Sequence, residues 1–321
     1  MNDLESRFLN EENFYLAFKK LNHYLKQSNE WYNPVELAAF EANLSTNLSK
    51  IRIALKEGTY QPNAIEPLPF PKKNDSDGKD RIRQYFKISI PDQIVWIAIT
   101  NIIGIYLEPW MPSWSYGNRL FVPTWFEEDG GILQMKKGIV RNSSANYYRK
   151  WNQSWPLYRR HISMTIKIMA LNTGFKSDYL ETDIEREIYQ NEFDNNFLEY
   201  PFLQSDFWKK GKKKEVFWAG LDYQKFFPSI NPEKIITTIK KYIVRDDGSQ
   251  RDDTHILFDT IEKMFRFPIN LSGWNTDDLE EFDNNFAINQ QEFYGVPTGL
   301  LSAGFLANVA MIDVDQAFMA Y

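Results

Sequence analysis

Apolar residues recur at helical spacing through much of the first 60 residues. Leu37, Phe40, Leu44, Leu48, Ile51 and Leu55 line one face of a predicted helix, with Pro34 in its first turn and Gly58 at its end. Between residues 60 and 90 the pattern predicts two strands around the turn-rich loop Asn74-Asp75-Ser76-Asp77-Gly78. Ile94 to Leu107 reads as a strongly apolar helix ending near Pro109. Further helices are predicted near 145–172 and, with acidic character, near 182–198. The apolar and aromatic run Glu215-Val216-Phe217-Trp218-Ala219-Gly220-Leu221 favours a strand. Pro228 cannot prolong it, and Ser229 and Asn231 before Pro232-Glu233-Lys234 mark a turn and a helix start. Ile235, Ile236, Ile239, Tyr242 and Ile243 then follow helical spacing, as do Leu301, Phe305, Leu306, Val309, Ile312 and Phe318 further on. The sum is a mixed α/β (α+β) protein with a helical N-terminus.

Composition narrows this only a little. A chain of 321 residues can bury a sizeable core and supports one large domain or two to three subdomains. The absence of Cys excludes disulfides and thiolate metal sites, and His23, His161 and His255 are scattered without metal-ligand spacing. No hydrophobic run approaches the roughly 20 residues needed to cross a bilayer. The N-terminus lacks a secretory pattern. A cytoplasmic protein with no membrane partner is expected.

Charge changes the picture more. The net charge is −6, yet it is segregated. From Lys136 to Lys167 there are many Lys and Arg residues and no Asp or Glu, interleaved with Tyr147, Tyr148, Trp151, Trp155 and Tyr158. Acidic stretches lie at Asp178 to Glu199 and Asp277 to Asp283. Such segregation can set a basic channel in an acidic body, and aromatics beside it can stack on bases. Arg149, Lys150, Arg159 and Arg160 are the nucleic-acid contacts expected in this stretch. The cluster Lys209-Lys210 and Lys212-Lys213-Lys214 serves equally well as a solvated face.

Two segments carry candidate chemistry. Asp222, at the end of the predicted strand, is followed by Phe226 and Phe227, and an Asp so placed can hold Mg2+ while phosphates and water fill the other positions. Taken alone, it serves equally as a strand end or a helix cap. Gly295-Val296-Pro297-Thr298-Gly299 combines a φ-fixing proline with glycines that tolerate close backbone approach, and it leads into the last helix. Taken alone, it is an ordinary turn. Asp313 and Asp315 read as helix-surface or packing groups.

The order and character of these segments resemble the palm of prokaryotic reverse transcriptases. The residues that carry the resemblance are Asp222 with Phe226 and Phe227, then Gly295 to Gly299, then Leu306-Ala307-Asn308. Upstream, Tyr60-Gln61-Pro62, Pro71-Lys72, Arg83 nine residues before Asp92, Ile90-Pro91, Asp92-Gln93-Ile94-Val95 and Ser115-Tyr116-Gly117-Asn118-Arg119 resemble the family's fingers. The likeness covers residues 35–119 and 215–321. Many members carry Gln where this chain has Thr298, and the Pro-Thr-Gly form is more like the abortive-infection, defence-associated branch.

The resemblance implies RNA-directed DNA polymerisation by two-metal nucleotidyl transfer, in bacterial antiphage defence. Asp222 and the Tyr223 carbonyl would hold Mg2+ or Mn2+. Arg83 would clamp the triphosphate, which a planar guanidinium fits bidentately, with Arg81 and Lys79 as rivals in the same loop and Lys72 or Lys73 beside it. Phe227 would be the steric gate under the sugar, with its side chain opposite to that of Phe226 if the stretch is extended. Pro297, Thr298 and Gly299 would meet the nascent pair. Arg119 would help hold the fingers and the template strand, while Asp92 reads as a helix N-cap. Partners would be an RNA template, whether or not a dedicated non-coding RNA, with DNA product, dNTPs and a partner protein or second copy.

The implied layout is a helical segment at 1–60, fingers at 61–119, an insertion or expanded fingers at 120–214 and palm at 215–321. The family's third palm motif, Tyr-x-Asp-Asp, occurs nowhere in the 321 residues. Asp246-Asp247, Asp252-Asp253 and Asp277-Asp278 lie upstream of where it should fall. The expectation is the N-terminal portion of a longer enzyme, inactive alone in processive synthesis. Two rivals stand beside it: a non-catalytic nucleic-acid-binding scaffold, and a template-independent or protein-primed DNA polymerase.

Overall fold

In a computed structural model the described residues are 4–28, 31–72, 81–112, 114–121, 124–129, 132–137, 145–172, 220, 226–245, 248–274 and 292–319. They form a helix-dominated α+β protein whose strands pair as three two-stranded antiparallel ribbons. The N-terminal helices are α1 (Leu4–Phe8), α2 (Glu11–Gln27), α3 (Pro34–Ala42) and α4 (Leu44–Lys56). Local chemistry sets their starts. Asn10 caps α2 by accepting from Glu12 N, and Asn33 caps α3 by accepting from Val35 N and Glu36 N, with Pro34 in the first turn. The single helix expected from Leu37 to Leu55 is broken at Asn43, whose backbone leaves the helical region. Its apolar stripe continues on α4 through Leu48, Ile51 and Leu55, so one hydrophobic face spans two helices.

The two strands expected over 60–90 are β1 (Glu66–Lys72) and β2 (Arg81–Lys87), paired from Glu66↔Lys87 to Lys72↔Arg81. Next comes α5 (Ile90–Leu107), continued by a short 3-10 turn at Glu108–Trp110. Ser89, not Asp92, is its N-cap: Ser89 Oγ accepts from Asp92 N and donates to Asp92 Oδ2. The Ser89 hydroxyl thus serves one of the free N–H groups of the first turn, and the helix starts four residues before Ile94. Asp92 Oδ1 also accepts from the Tyr60 hydroxyl at 2.7 Å, and its Oδ2 from Asn63 N at 2.9 Å. Burial raises its carboxyl above the usual range despite those hydrogen bonds, and it raises the Tyr60 hydroxyl as well.

Helix α5 is the centre of the core. Ile94 to Ile99 are all fully buried, and α2 runs alongside. The stretch Ile90–Trp110 is long and apolar enough to cross a membrane by length and composition, with mean hydropathy 1.4, which corrects the expectation of no such run. Here 83% of the 18-residue window that meets this measure is buried by protein. Polar side chains inside it find partners within the fold. Lys20 Nζ donates to Asn101 Oδ1 at 2.6 Å, Asn101 Nδ2 to Asn13 Oδ1 at 2.9 Å, and Asn13 Nδ2 to the carbonyls of Phe8 and Ala98. That chain of bonds fixes α1 and α2 against α5, because each buried polar group needs its partner.

The remaining elements are β3 (Thr124–Asp129) and β4 (Ile132–Lys137), α6 (Trp151–Asn172), α7 (Phe226–Ser229), α8 (Pro232–Tyr242), α9 (His255–Lys263), β5 (Arg266–Pro268), β6 (Glu292–Tyr294) and α10 (Ala303–Met319). Asn231 caps α8, as expected from its place before Pro232. The acidic helix near 182–198, the expected strand at 215–221 apart from Gly220, and the lysine cluster lie outside the described residues. A single bridge, Leu120↔Tyr148, with Arg149 N donating to Arg119 O, fastens the start of α6 to the segment before β3.

Candidate functional site

The turn Gly295-Val296-Pro297-Thr298-Gly299 joins β6 to the helix α10, and three separate parts of the chain hold it. The first is β2. Phe86 N donates to Thr298 O at 2.8 Å, and the Phe86 ring lies 5.3 Å from that of Phe293. Gly299 has φ +109, and a Cβ there would lie 2.2 Å from Phe86 O. Only glycine supplies both that conformation and that closeness. The close approach read from the sequence as room for a nascent base pair is therefore, at Gly299, an approach of the chain to itself.

The second part is α5. Gln93 Nε2 donates to Gly299 O at 2.8 Å, and Leu301 N donates to Gln93 Oε1 at 2.9 Å. One side-chain amide thus replaces a strand partner for the turn. Gln93 is buried, so both ends of its amide are satisfied away from water. Sequence reasoning quoted Gln93 only as part of a motif and gave it no task.

The third part is the dipeptide before α6. Tyr148 Oη donates to Leu301 O at 2.6 Å and accepts from Phe305 N at 3.1 Å, so it serves an N–H in the first turn of α10. Tyr147 Oη shares a hydrogen bond of 2.8 Å with Ser302 Oγ. Burial pushes the Tyr147 hydroxyl above its ordinary range, against the pull of Ser302 and Thr100. Both tyrosines were read from the sequence as part of a basic and aromatic stretch facing nucleic acid. Their hydroxyls instead anchor the helix start.

The segment Ser115 to Arg119 lies on the next turn of α10. Asn308 Nδ2 donates to Gly117 O at 2.8 Å. A Cβ on Gly304 would sit 2.4 Å from the side chain of Asn118, itself at φ 54. Arg119 is buried: Nε donates to Glu108 Oε2 at 2.8 Å, Nη1 to Pro112 O at 2.9 Å and Nη2 to Glu108 O at 3.2 Å. With these donors directed inward, Arg119 packs within the fold.

The other expected site residues divide by position. Arg83 pairs with Phe70 and Lys72 with Arg81 in the β1–β2 ribbon, at alternate positions of the same parity as Tyr85 and opposite to buried Phe86. Arg83 stands three positions, about 10 Å, up the strand from the contact with Thr298; its side chain and that of Lys72 lie outside the description. Asp222 and Tyr223 lie outside the described residues, as do Lys73 and Lys79. Phe227 is half-buried in α7 and packs on the core, its ring 5.8 Å from Phe226. The stretch is a helical turn, not extended, because Pro228 fits a first helical turn and Ile230 N closes on Phe227 O. The two rings are therefore neighbours and not on opposite faces.

Pro297 is buried, while Thr298 and Gly299 are half-buried. Lys150 and Arg159 are exposed, and Arg149 is half-buried. The side chain of Arg160 lies outside the description. Asp313 accepts from Lys234 at 2.5 Å and Lys241 at 2.8 Å, which hold its carboxyl below the usual range. Asp315 is shifted upward by burial. Among the described residues no three His, Cys, Asp or Glu side chains converge as a metal site. No protein-family model matches the chain, and no curated protein matches it.

Proposed function

We propose that this chain carries the fingers and the first two palm motifs of an RNA-directed DNA polymerase of the prokaryotic reverse-transcriptase kind. The observation that supports this reading is a convergence. Four segments picked out by the resemblance gather at one turn and the first turns of the helix after it. They are the strand that bears Arg83, the Asp92-Gln93 start of α5, Ser115 to Arg119, and Gly295 through Asn308. An ordinary turn would not require a buried glutamine, a strand end and a tyrosine pair to fix it.

In this reading the chain's own residues do three things. Gln93, Tyr147 and Tyr148 hold the 295–302 backbone rigid, so that a base pair meets a preorganised surface and not a mobile loop. In this reading Arg83 on β2 and Lys72 on β1, up the ribbon from that turn, would bind the triphosphate of a dNTP through a guanidinium and an ammonium. Phe227 and the turn would bound the sugar. A divalent cation, Mg2+ or Mn2+, held by Asp222 and the Tyr223 carbonyl, would supply charge stabilisation for the in-line displacement. A role in antiphage defence belongs to the same reading and rests on the Thr298 variant, the long insertion at 120–214 and the absence of maturase or retron signatures, taken together.

The test is retention of a labelled dNTP by the protein loaded with a recessed RNA–DNA primer–template. Retention should require Mg2+ or Mn2+. It should fall about tenfold or more in Asp222→Asn and in Arg83→Ala, since each removes a charge-assisted contact of about 1.5–3 kcal/mol. Primer–template binding should survive in both. Nucleic-acid binding with no metal-dependent retention would mean a scaffold and would overturn the proposal. Sequencing of any DNA product made with and without RNA separates templated from untemplated synthesis.

A further inference from the structure

Helix α6 holds large apolar side chains in water along one face. Trp155, Ile162 and Ile166 are 42%, 41% and 61% exposed, and with Arg159 they recur at the spacing of a single helical stripe. Exposed apolar groups so aligned mark an interaction surface. Charge says what kind. Between Gly130 and Ser177 there are nine Lys and Arg residues and no Asp or Glu, in a chain whose net charge is −6. Lys150 and Arg159 of this block are exposed on or beside α6.

The aromatic part is braced from behind. The Trp155 ring stacks on Tyr158 at 5.3 Å and 29°, and Tyr158 meets Tyr116 edge-on at 5.2 Å. Tyr116 Oη and His161 Nδ1 share a hydrogen bond of 2.6 Å, and His161 is buried. Tyr116 precedes Gly117 and Asn118, which lie against α10. A column of rings therefore runs from solvent to the segment that touches the candidate site.

We propose that the Trp155 and Arg159 face of α6, with Lys150, is a stacking platform for single-stranded nucleic acid. A flat exposed indole accepts any base on its π-face, and cations beside it track the phosphates. The braced rings lose little freedom on binding. An acidic protein would answer the charge but would have no special use for a stacked ring pair. Only the direction of the bound strand, toward the 295–302 turn, rests on the polymerase reading; the binding itself does not.

The experiment follows anisotropy of short fluorescent oligo-uridylate and oligo-thymidylate strands without metal or dNTP. Trp155→Ala should weaken binding by about tenfold, while Trp155→Phe keeps most of it. Lys150→Ala and Arg159→Ala should each lower the slope of log affinity against log salt by about 0.7. A preference for uridylate would mark a 2′-hydroxyl contact, and equal affinities would mark stacking and phosphate contacts alone; both support the platform. Circular dichroism checks that the variants keep their helix content. Unchanged affinity and salt slope in these variants overturn the inference. So does a chain that binds no strand yet self-associates through this face, losing that association in Trp155→Ala. If strand binding fails while metal-dependent dNTP retention persists, the platform alone is wrong; the reverse result removes the polymerase reading alone.

Discussion

Gly299→Ala tests the geometry of the turn directly. The backbone at Gly299 has φ +109, a region costing an L-residue about 1–3 kcal/mol. The added methyl would also lie 2.2 Å from Phe86 O, far inside contact distance. The obstacle is backbone in a paired ribbon, so it cannot swing aside as a flexible side chain would. Moving the turn out by about 1 Å stretches the 2.8 Å bond from Phe86 N to Thr298 O beyond hydrogen-bonding range, at about 1–3 kcal/mol if the groups stay buried. Alanine restricts the unfolded chain and returns about 0.4–1 kcal/mol. The net loss is about 2–5 kcal/mol. Gly58→Ala is the control, because Gly58 has φ +69 and a methyl added there would meet nothing within 4 Å. That variant should lose only about 1 kcal/mol. Urea unfolding followed by tryptophan fluorescence gives both values from midpoints and slopes. Equal losses in the two variants would refute the claim that Gly299 is required by the closeness of β2.

Two further perturbations address charge. Arg119→Met should cost about 3–5 kcal/mol in the same unfolding assay because it strands buried Glu108, and adding Glu108→Gln should recover more than half; a double variant as unstable as the single would show that the pair's charge is irrelevant. Asp253 accepts from Arg251 and from Leu4 N, and although burial opposes it, these bonds lower the carboxyl from 3.8 to about 2. Its folded value lies below its unfolded value, so its contribution is present above pH 3.8 and disappears as pH falls from there through about 2. Asp253→Asn should destabilise the protein at neutral pH and flatten the acid limb within that window; an unaltered limb in pH-dependent unfolding would refute the assignment.

Elements with strong local period were legible in the sequence. The apolar run of α5, the stripe of α8 after its Asn231 cap and the paired strands of the β1–β2 ribbon all follow from spacing and turn chemistry. Errors arose where one residue decides. Asn43 breaks a stripe that period alone would continue, and Ser89 takes the capping place assigned to Asp92 because its hydroxyl accepts from Asp92 N. Phe226 and Phe227 follow helical geometry because Pro228 and Ile230 close a turn on them. The candidate site was half legible. Its glycine turn stood out, but what the glycine accommodates did not, since Phe86 is more than two hundred positions away in the chain. Gln93, Tyr147 and Tyr148 carry no local mark of their task. A buried glutamine in an apolar helix was the one available hint, because such a group must find partners. Asp222 lies outside the described residues, so its place is argued from the resemblance alone.

The turn at 298 is fastened entirely through its main chain: the Thr298 carbonyl binds β2, and the neighbouring carbonyl and amide bind Gln93. Its side chain carries none of that anchorage. Position 298 is thus a slot whose chemistry can be exchanged while the scaffold stays put. A threonine, a glutamine or a smaller residue there would alter what the surface offers to a visitor without asking the backbone to move.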